Sequence, residues 1–185
     1  RERASWLLEH PSAGAEFVAD LVTSANRRLH DLMMAKRTLR GMGTTFVALA
    51  MTPEPMPVAH IAHLGDSRAY LYRTGQLKQL TRDHTLVEKF VQRGLIDAAT
   101  ALTHPERHIL TKGLGMGVTM KPELTETPVT PHDLIMLCSD GLHGVIGDAA
   151  VRSILATGGD VETTARHLNE AARVHGGPDN ISVVL

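Results

Sequence analysis

The sequence predicts an α+β fold in which helices pack on antiparallel sheets. Three observations support this fold class: strand-like runs come in groups, a hairpin signal lies at Thr74-Gly75, and amphipathic helical stretches flank the strand groups. A doubly wound parallel sheet would require regular alternation of strands and helices, which the chain lacks. We see no internal repeat or linker, so the 185 residues are expected to form one domain.

The first predicted element is an amphipathic helix from Ala15 to about Arg40. Its apolar residues recur at intervals of three and four, which indicates one buried face. That face comprises Phe17, Leu21, Ala25, Leu29, Leu32 and Met33, and Asn26 is among the polar residues between them. The apolar run TTFVALAM follows and predicts a strand buried on both faces.

The middle of the chain predicts a second strand and a hairpin. The proline-rich stretch TPEPMP is a loop, VAHIAHLGD alternates like a strand, and AYLYRTGQLKQL folds back around Thr74-Gly75. Two short helices are expected next, in LVEKFVQRG and DAATALTHPE, with Asp97 as the N-cap of the second.

The last third predicts a strand, two helices and a final strand. The run DLIMLCSDG is a buried strand that closes on Ser139-Asp140-Gly141. GDAAVRSILAT and DVETTARHLNEAARVHG are helical, with Asp148 and Asp160 as N-caps, and the turn GGPDN precedes the strand ISVVL.

Composition excludes several functional classes. The net charge is −1 and only 3% of residues are aromatic, so neither a basic nor a stacking surface for nucleic acid is expected. A single cysteine excludes a disulfide framework and fits a reducing compartment. No apolar run approaches the roughly 20 residues that cross a bilayer. We therefore expect a cytoplasmic segment without membrane contact.

Three aspartates lie at similar places in the predicted fold. Asp66 and Asp140 each end a strand, and Asp179 precedes the last one. Taken singly, each is ordinary turn chemistry. Together, carboxylates that converge repel one another unless a cation neutralises them, and oxygen ligands suit Mg²⁺ or Mn²⁺.

Other candidate residues have structural explanations. Cys138 lacks the arginine six residues later that cysteine phosphatases use, because that residue is Gly144, so a buried inert thiol is expected. Arg68 is assigned to an ion pair and the GLGMG stretch to a connector. The following histidines match no zinc spacing and are placed at the surface or core edge: His60, His63, His104 and His108.

Five motifs in order carry a resemblance to a known family. They are GMGTTFVAL, HLGDSRAYLYRTGQLKQLTRDHT, HPERHILTKGLG, DLIMLCSDGL and GGPDNISVVL, and they extend over about residues 41–185. This order resembles the bacterial branch of the metal-dependent Ser/Thr protein phosphatases, the PPM or protein phosphatase 2C family. The resemblance implies a layered α-β-β-α sandwich of two antiparallel sheets flanked by helices, and a phosphatase-like catalytic domain over residues 1–185.

The resemblance also implies a metal centre and a reaction. Asp140 and Asp179 correspond to ligands of a dinuclear Mn²⁺ or Mg²⁺ centre, and Asp66 to a ligand of a third, looser ion. In the family, a water held by the two ions attacks the phosphorus of phosphoserine or phosphothreonine without a covalent phospho-enzyme. The strand ends near the ions would be shaped by Thr44, Thr45 and Asn180.

The chain departs from the family pattern at its N-terminal side. The family's Asp-Gly-Met-Gly-Gly-His loop, phosphate-gripping Arg and acid His have no counterpart in this sequence. We therefore expect these groups upstream of Arg1, a catalytic domain that is incomplete at its N-terminus, and an inactive 185-residue segment when it is isolated. Lesser departures are Lys112-Gly113 and His143.

Two alternatives share the motifs. One is a non-catalytic phosphatase-like module that binds a partner, and the other is a regulatory phosphatase acting on a phosphorylated anti-sigma-factor antagonist. The expected partners are phosphorylated Ser/Thr proteins and a cognate Ser/Thr kinase, with the protein itself a monomer.

Overall fold

A computed structural model describes residues 13–52 and 57–185. The chain divides into two compact units, which are interleaved in sequence. The first unit comprises Arg1–Gly65 and Asp83–Thr130, and the second comprises Asp66–Arg82 and Pro131–Leu185. Among the described residues, no helix is both long enough and apolar enough to cross a membrane.

The described part of the first unit contains four helical segments. They are α1 (Gly14–Ala35), a 3₁₀ turn (Arg37–Leu39), α2 (Leu86–Gln92) and α3 (Ala98–Thr103). The predicted helices are confirmed, and Asp97 caps α3 by accepting a hydrogen bond from the Thr100 amide at 2.7 Å. Each unpaired amide at a helix start needs such an acceptor.

The buried face of α1 is wider than the predicted one, of which Met33 is buried and Phe17, Ala25 and Leu29 pack against the core. Val18, Val22 and Asn26 are the residues that lose nearly all contact with solvent, whereas Leu32 is 42% exposed. The prediction was therefore wrong at Leu32. It was also wrong at Asn26, because a polar side chain can enter a core when the neighbouring backbone supplies hydrogen bonds.

The first unit contains a three-stranded antiparallel sheet in the order β1-β2-β5. Its strands are β1 (Phe46–Thr52), β2 (Val58–Leu64) and β5 (Glu123–Pro128). The expectation that β1 is buried on both faces is wrong: it is an edge strand, and the central β2 is the buried one. β5 was not predicted, and the proline-rich loop lies largely outside the described residues.

Helix α1 covers this sheet through an apolar cluster. Val18 and Val22 of α1 contact Ala62 and Leu64 of β2 within the same buried group, which also contains Ala50 and Leu114. Burying each large aliphatic side chain contributes about 1.5–3 kcal/mol, so this contact holds helix and sheet together.

The second unit contains a four-stranded antiparallel sheet in the order β4-β3-β6-β7. Its strands are β3 (Arg68–Arg73), β4 (Gln76–Gln79), β6 (Leu134–Cys138) and β7 (Val183–Val184). The predicted hairpin is confirmed at its turn, where Thr74 and Gly75 have φ of 47° and 80°. Two consecutive positive φ values characterise the tight turn whose twist matches antiparallel strands.

Two helices complete the second unit, α4 (Asp140–Ala156) and α5 (Val161–Val174). Asp160 caps α5 as predicted, by accepting from the Thr163 amide at 2.8 Å. Asp148 does not cap a helix, so that prediction was wrong. The helical stretch already starts at Asp140 and is interrupted at Gly147, where φ is 71°.

Asp148 instead belongs to a polar group with Arg68 and Tyr70 of β3. The Tyr70 hydroxyl donates to Asp148 at 2.9 Å, and Arg68 donates to that hydroxyl at 2.8 Å. Arg68 also lies 3.7 Å from Asp148, which confirms the predicted ion pair. Burial raises the pKa of Tyr70 well above its usual value, so the hydroxyl remains a donor.

Candidate metal site

The three aspartates lie at the same end of the four-stranded sheet. Arg68 pairs with Cys138, and Cys138 pairs with Val183, so the start of β3, the end of β6 and the start of β7 are aligned. Asp66 lies two residues before β3, Asp140 comes two residues after β6, and Asp179 lies in the turn before β7. The antiparallel register therefore brings three separated sequence motifs to one end of the sheet, which we call the carboxylate edge.

Ser139 ties the chain beside Asp140 to the chain after Asp179. Its amide donates to the Ser182 carbonyl at 3.1 Å, and its hydroxyl donates to the Asn180 carbonyl at 3.2 Å. The Ser182 amide in turn donates to the Ser139 hydroxyl oxygen at 3.0 Å. Three hydrogen bonds thus fix the two carboxylate-bearing segments against each other.

Gly141 permits this close approach. A β-carbon at this position would overlap the Asn180 carbonyl, which is backbone and has little freedom to move. The Asn180 amide also donates to the Asp179 carboxylate at 2.7 Å and so orients that side chain. Glycine after Asp140 is therefore a packing requirement as well as a turn signal.

Asp66 is anchored through its backbone by His143. The His143 Nε2 donates to the Asp66 carbonyl at 3.0 Å from the first turn of α4, and the imidazole is buried. Sequence reasoning noted His143 only as a departure from the family pattern. The structure shows that it links the helix that begins at Asp140 to the loop that carries Asp66.

The three carboxylates at this end of the sheet are chemically suited to a hard divalent cation. Three carboxylates supply oxygen ligands only, which suits Mg²⁺ or Mn²⁺ better than the nitrogen and sulphur ligands that zinc favours. Asp140 and Asp66 are half-buried and Asp179 is exposed. All three residues are thus at least partly accessible to solvent.

A second polar cluster lies in the first unit and was not predicted. It comprises His63, His84 and Glu123, whose candidate ligand atoms all lie within 4.8 Å of one another. His63 is fully buried on β2, so its expected place at the surface or core edge was wrong. We call this group the imidazole cluster. No spacing signal could have found it, because register and a loop bring the residues together.

The imidazole cluster is arranged by stacking and hydrogen bonding. The rings of His63 and His84 are parallel within 2°, with centroids 4.6 Å apart. The His84 Nδ1 accepts from the Gly65 amide at 3.1 Å, so its proton is on Nε2, which donates to Glu123 at 3.3 Å. Burial and the charges of His63 and Lys112 lower the pKa of His84 to about 4, against a smaller opposing effect of Glu123.

This geometry does not fit a metal ion. An imidazole nitrogen binds a metal in the plane of its ring, and two parallel stacked rings share no common plane. The His84 Nδ1 is also engaged by the Gly65 amide, so its Nε2 carries a proton rather than a lone pair. The imidazole cluster is therefore a hydrogen-bonded group and not a cation site.

The remaining sequence candidates have structural roles. Cys138 is a buried thiol outside any disulfide, as predicted. His60 lies between Thr52 and Glu126, within hydrogen-bond distance of both, and is also buried, contrary to expectation. Asn26 binds the GLGMG connector, donating to the Gly117 carbonyl at 3.1 Å and accepting from the Gly115 amide at 2.9 Å.

The predicted threonines near the strand ends lie in the first unit. Thr44 exchanges two backbone hydrogen bonds with Leu114, at 3.1 and 2.8 Å. Thr45 packs against Gly65, where a β-carbon would overlap its side chain. Thr45 thus packs on the glycine that precedes Asp66, whereas Thr44 pairs with the segment around Leu114.

Comparison with known proteins identifies the family. The family profile described as "Protein phosphatase 2C" matches residues 15–89. A putative protein phosphatase 2C-type of Streptococcus pyogenes is 32% identical over 170 residues, which cover 92% of this chain and 68% of that protein. The chain belongs to the protein phosphatase 2C family.

Several relatives are named for their activity. The serine/threonine phosphatase stp of Listeria welshimeri is 32% identical over 164 residues, covering 89% of this chain and 64% of that protein. The chain thus spans slightly less than two thirds of the listerial relative. It spans 34% of the serine/threonine protein phosphatase PstP of Mycobacterium tuberculosis, at 34% identity.

Solved structures share the fold. The M. tuberculosis phosphatase PstP/Ppp superposes with a TM-score of 0.87 at 31% identity, covering 98% of this chain and 78% of that one. A PstP catalytic domain solved in complex with two manganese ions gives a TM-score of 0.80 at 30% identity, covering 98% and 79% of the two chains. The mixed α+β fold with two antiparallel sheets is thereby confirmed.

Proposed function

We propose that the complete protein is a metal-dependent serine/threonine protein phosphatase in which Asp140, Asp179 and Asp66 hold Mn²⁺ or Mg²⁺. The observation that carries the proposal is the alignment of three strand ends, because Asp66, Asp140 and Asp179 each lie within a few residues of one of them. The relatives' names and the manganese-bound neighbour support the same reaction class. We further propose that residues 1–185 are part of one catalytic domain.

The residues of this chain bind and orient rather than attack. Bound cations would supply Lewis acidity and an activated water at the phosphate. Asp140 and Asp179 would hold them in a fixed relation because Ser139 ties their segments together. Asp66, held through its carbonyl by His143, would provide a further ligand from the neighbouring strand.

The proposed substrates are proteins phosphorylated on serine or threonine, opposed to a cognate Ser/Thr kinase. Several relatives are themselves named serine/threonine phosphatases, and clustered carboxylates need cations before they can attract a phosphate. We also propose a cytoplasmic setting and a monomeric protein. The single cysteine, Cys138, lies outside any disulfide, which is consistent with a reducing compartment.

The decisive test is hydrolysis of p-nitrophenyl phosphate and of a phosphothreonine peptide by the complete protein with and without Mn²⁺. Asp140→Asn should reduce turnover by at least about a thousandfold, because a ligand charge is lost at the centre of the site. Asp160→Asn is the matched control: it removes a carboxylate from the same unit but preserves the cap of α5.

Turnover that does not need a divalent cation would overturn the proposal. Mn²⁺ binding without any hydrolysis of either substrate would instead favour the non-catalytic binding module. Equal losses in Asp140→Asn and Asp160→Asn would show that general folding, rather than the cation, limits activity.

A further inference from the structure

Gly65 is held by an unusual pair of hydrogen bonds from one distant residue. Its amide donates to the His84 Nδ1 at 3.1 Å, and its carbonyl accepts from the His84 amide at 2.9 Å. Both polar groups of Gly65 are therefore satisfied by a residue 19 positions later. Gly65 directly precedes Asp66, the proposed ligand from this loop.

The conformation of Gly65 needs this support. Its φ is 103°, a region that only glycine adopts without strain, and a β-carbon would overlap the side chain of Thr45. Glycine also has the greatest freedom to leave such a conformation, because it has no side chain to restrict its backbone. Contacts from outside must therefore fix the direction in which the chain continues.

His84 is itself held firmly. Its ring stacks on His63, its Nε2 donates to Glu123, and its own carbonyl accepts from the Thr111 amide at 2.7 Å. His63 and Glu123 are directly opposite each other in the register of β2 and β5. His63 and Glu123 thus orient the His84 ring so that its Nδ1 faces the Gly65 amide.

We propose that His84 is a positioning residue for the cation site, which by its two hydrogen bonds to Gly65 fixes the direction in which the chain enters Asp66. The inference rests on the proposed function, since Asp66 matters only if it binds a cation. His84 touches no reacting group, so its effect is indirect. Partners that orient metal ligands typically change affinity 10- to 100-fold when they are removed.

Two substitutions of His84 separate its two ring nitrogens. His84→Asn retains an acceptor near the position of Nδ1 but loses the contact with Glu123, whereas His84→Gln places its amide near Nε2 and loses the acceptor for Gly65. We expect His84→Gln to weaken the loosest Mn²⁺ site of the complete protein about tenfold and His84→Asn to leave it within about twofold. Free Mn²⁺ measured by electron paramagnetic resonance during a titration gives the affinity without an activity assay.

Two controls make the result specific. His60→Gln replaces another buried histidine of β2 that does not touch Gly65, so it should lower the unfolding temperature without changing Mn²⁺ affinity. Asp66→Asn should remove the loosest Mn²⁺ site altogether. If Asp66→Asn leaves Mn²⁺ binding intact, the proposed ligand is wrong; if it removes the site and His84→Gln does not weaken it, the positioning role is wrong.

The wild-type protein provides a test that does not depend on variant folding. Side-chain ¹⁵N spectra at pH 7 should show His84 as the neutral tautomer with its proton on Nε2, because Nδ1 accepts from Gly65. A proton on Nδ1, or equal effects of the Asn and Gln substitutions on Mn²⁺ affinity, would overturn the proposal.

Discussion

The two polar clusters of this chain use different physical means to hold ionisable groups. The imidazole cluster is buried and hydrogen-bonded, and His84 stays neutral because burial lowers its pKa to about 4. The carboxylate edge, formed by Asp66, Asp140 and Asp179, is partly open to solvent and combines groups that all bear the same charge. The first arrangement is stable by itself, whereas the second needs a counter-ion. Under the proposed function, burial and donor chemistry, rather than the number of titratable groups, decide which cluster accepts a cation.

Among substitutions that leave the three aspartates in place, the largest expected effect is at Gly141, which packs against Asn180. Gly141→Ala should lower metal-dependent turnover by about a hundredfold and stability by about 1–3 kcal/mol, because the new methyl group would overlap the Asn180 carbonyl. Activity assays and urea unfolding of the complete protein measure both.

Gly144→Ala is the control for that substitution. It lies in the same helix with open space around it, so it should raise stability by about 0.5–1 kcal/mol and leave turnover unchanged. Equal turnover and stability of the two variants would mean that the contact between Gly141 and Asn180 does not affect activity.

Acid should reduce the contribution of the imidazole cluster to the stability of the fold. The pKa of His84 is about 4 in the folded protein and 6.5 in an exposed chain, so between these values only the unfolded chain binds the proton. The contribution of His84 to the free energy of unfolding is therefore complete above pH 6.5. It decreases by at most about 3 kcal/mol as the pH falls to 4.

The measurement compares urea unfolding of the wild type and His84→Asn at pH 7, 5.5 and 4. The groups facing the ring are His63, Lys112 and Glu123, and all remain in the variant. The difference in stability between the two proteins should therefore shrink on acidification. A constant difference would show that His84 does not titrate in this range.

Cations should stabilise only the carboxylate edge. Mn²⁺ at a hundred times its dissociation constant should raise the stability of the complete protein by about 2.7 kcal/mol for each site, and Asp140→Asn should abolish most of this gain. Thermal unfolding with and without Mn²⁺ measures the effect. A gain that survives Asp140→Asn but disappears in His63→Gln would place the cation in the imidazole cluster and reverse the comparison.

The smallest expected effect concerns Glu123. Glu123→Gln retains an acceptor for the His84 Nε2 proton but removes a charge that raises the pKa of His84. Stability at pH 7 should change by less than about 1 kcal/mol, whereas the acid loss attributed to His84 should still begin near pH 6.5 but extend to lower pH and become larger. A loss that ends at a higher pH than in the wild type would contradict the assigned balance of charges.

The sequence predicted correctly those features that depend on a few neighbouring residues, such as turns and helix caps. The Thr74-Gly75 turn and the caps at Asp97 and Asp160 follow from backbone preferences of a few residues, and all three are found in the structure. The three aspartates could be assigned to strand ends for the same reason. Their meeting at one edge required the pairing of β3, β6 and β7, which no local pattern contains.

Tertiary context decided the features that the sequence misplaced. The apolar run of β1 suggested complete burial, yet β1 is an edge strand while β2, with two histidines, is central. Asn26 is buried because the connector some 90 residues later supplies its hydrogen-bond partners. Polar residues that find partners far along the chain cannot be recognised from hydrophobic periodicity alone.

The interleaving of the two units constrains their folding during synthesis. Residues 66–82 leave the ribosome between the two parts of the first unit, so the first unit cannot be completed until residue 130 has been made. At about 5–20 residues per second, helix α1 and strand β1 wait several seconds for β5. Over this interval the apolar face of α1 is incompletely covered, and a chaperone that binds nascent apolar segments would have its best opportunity there.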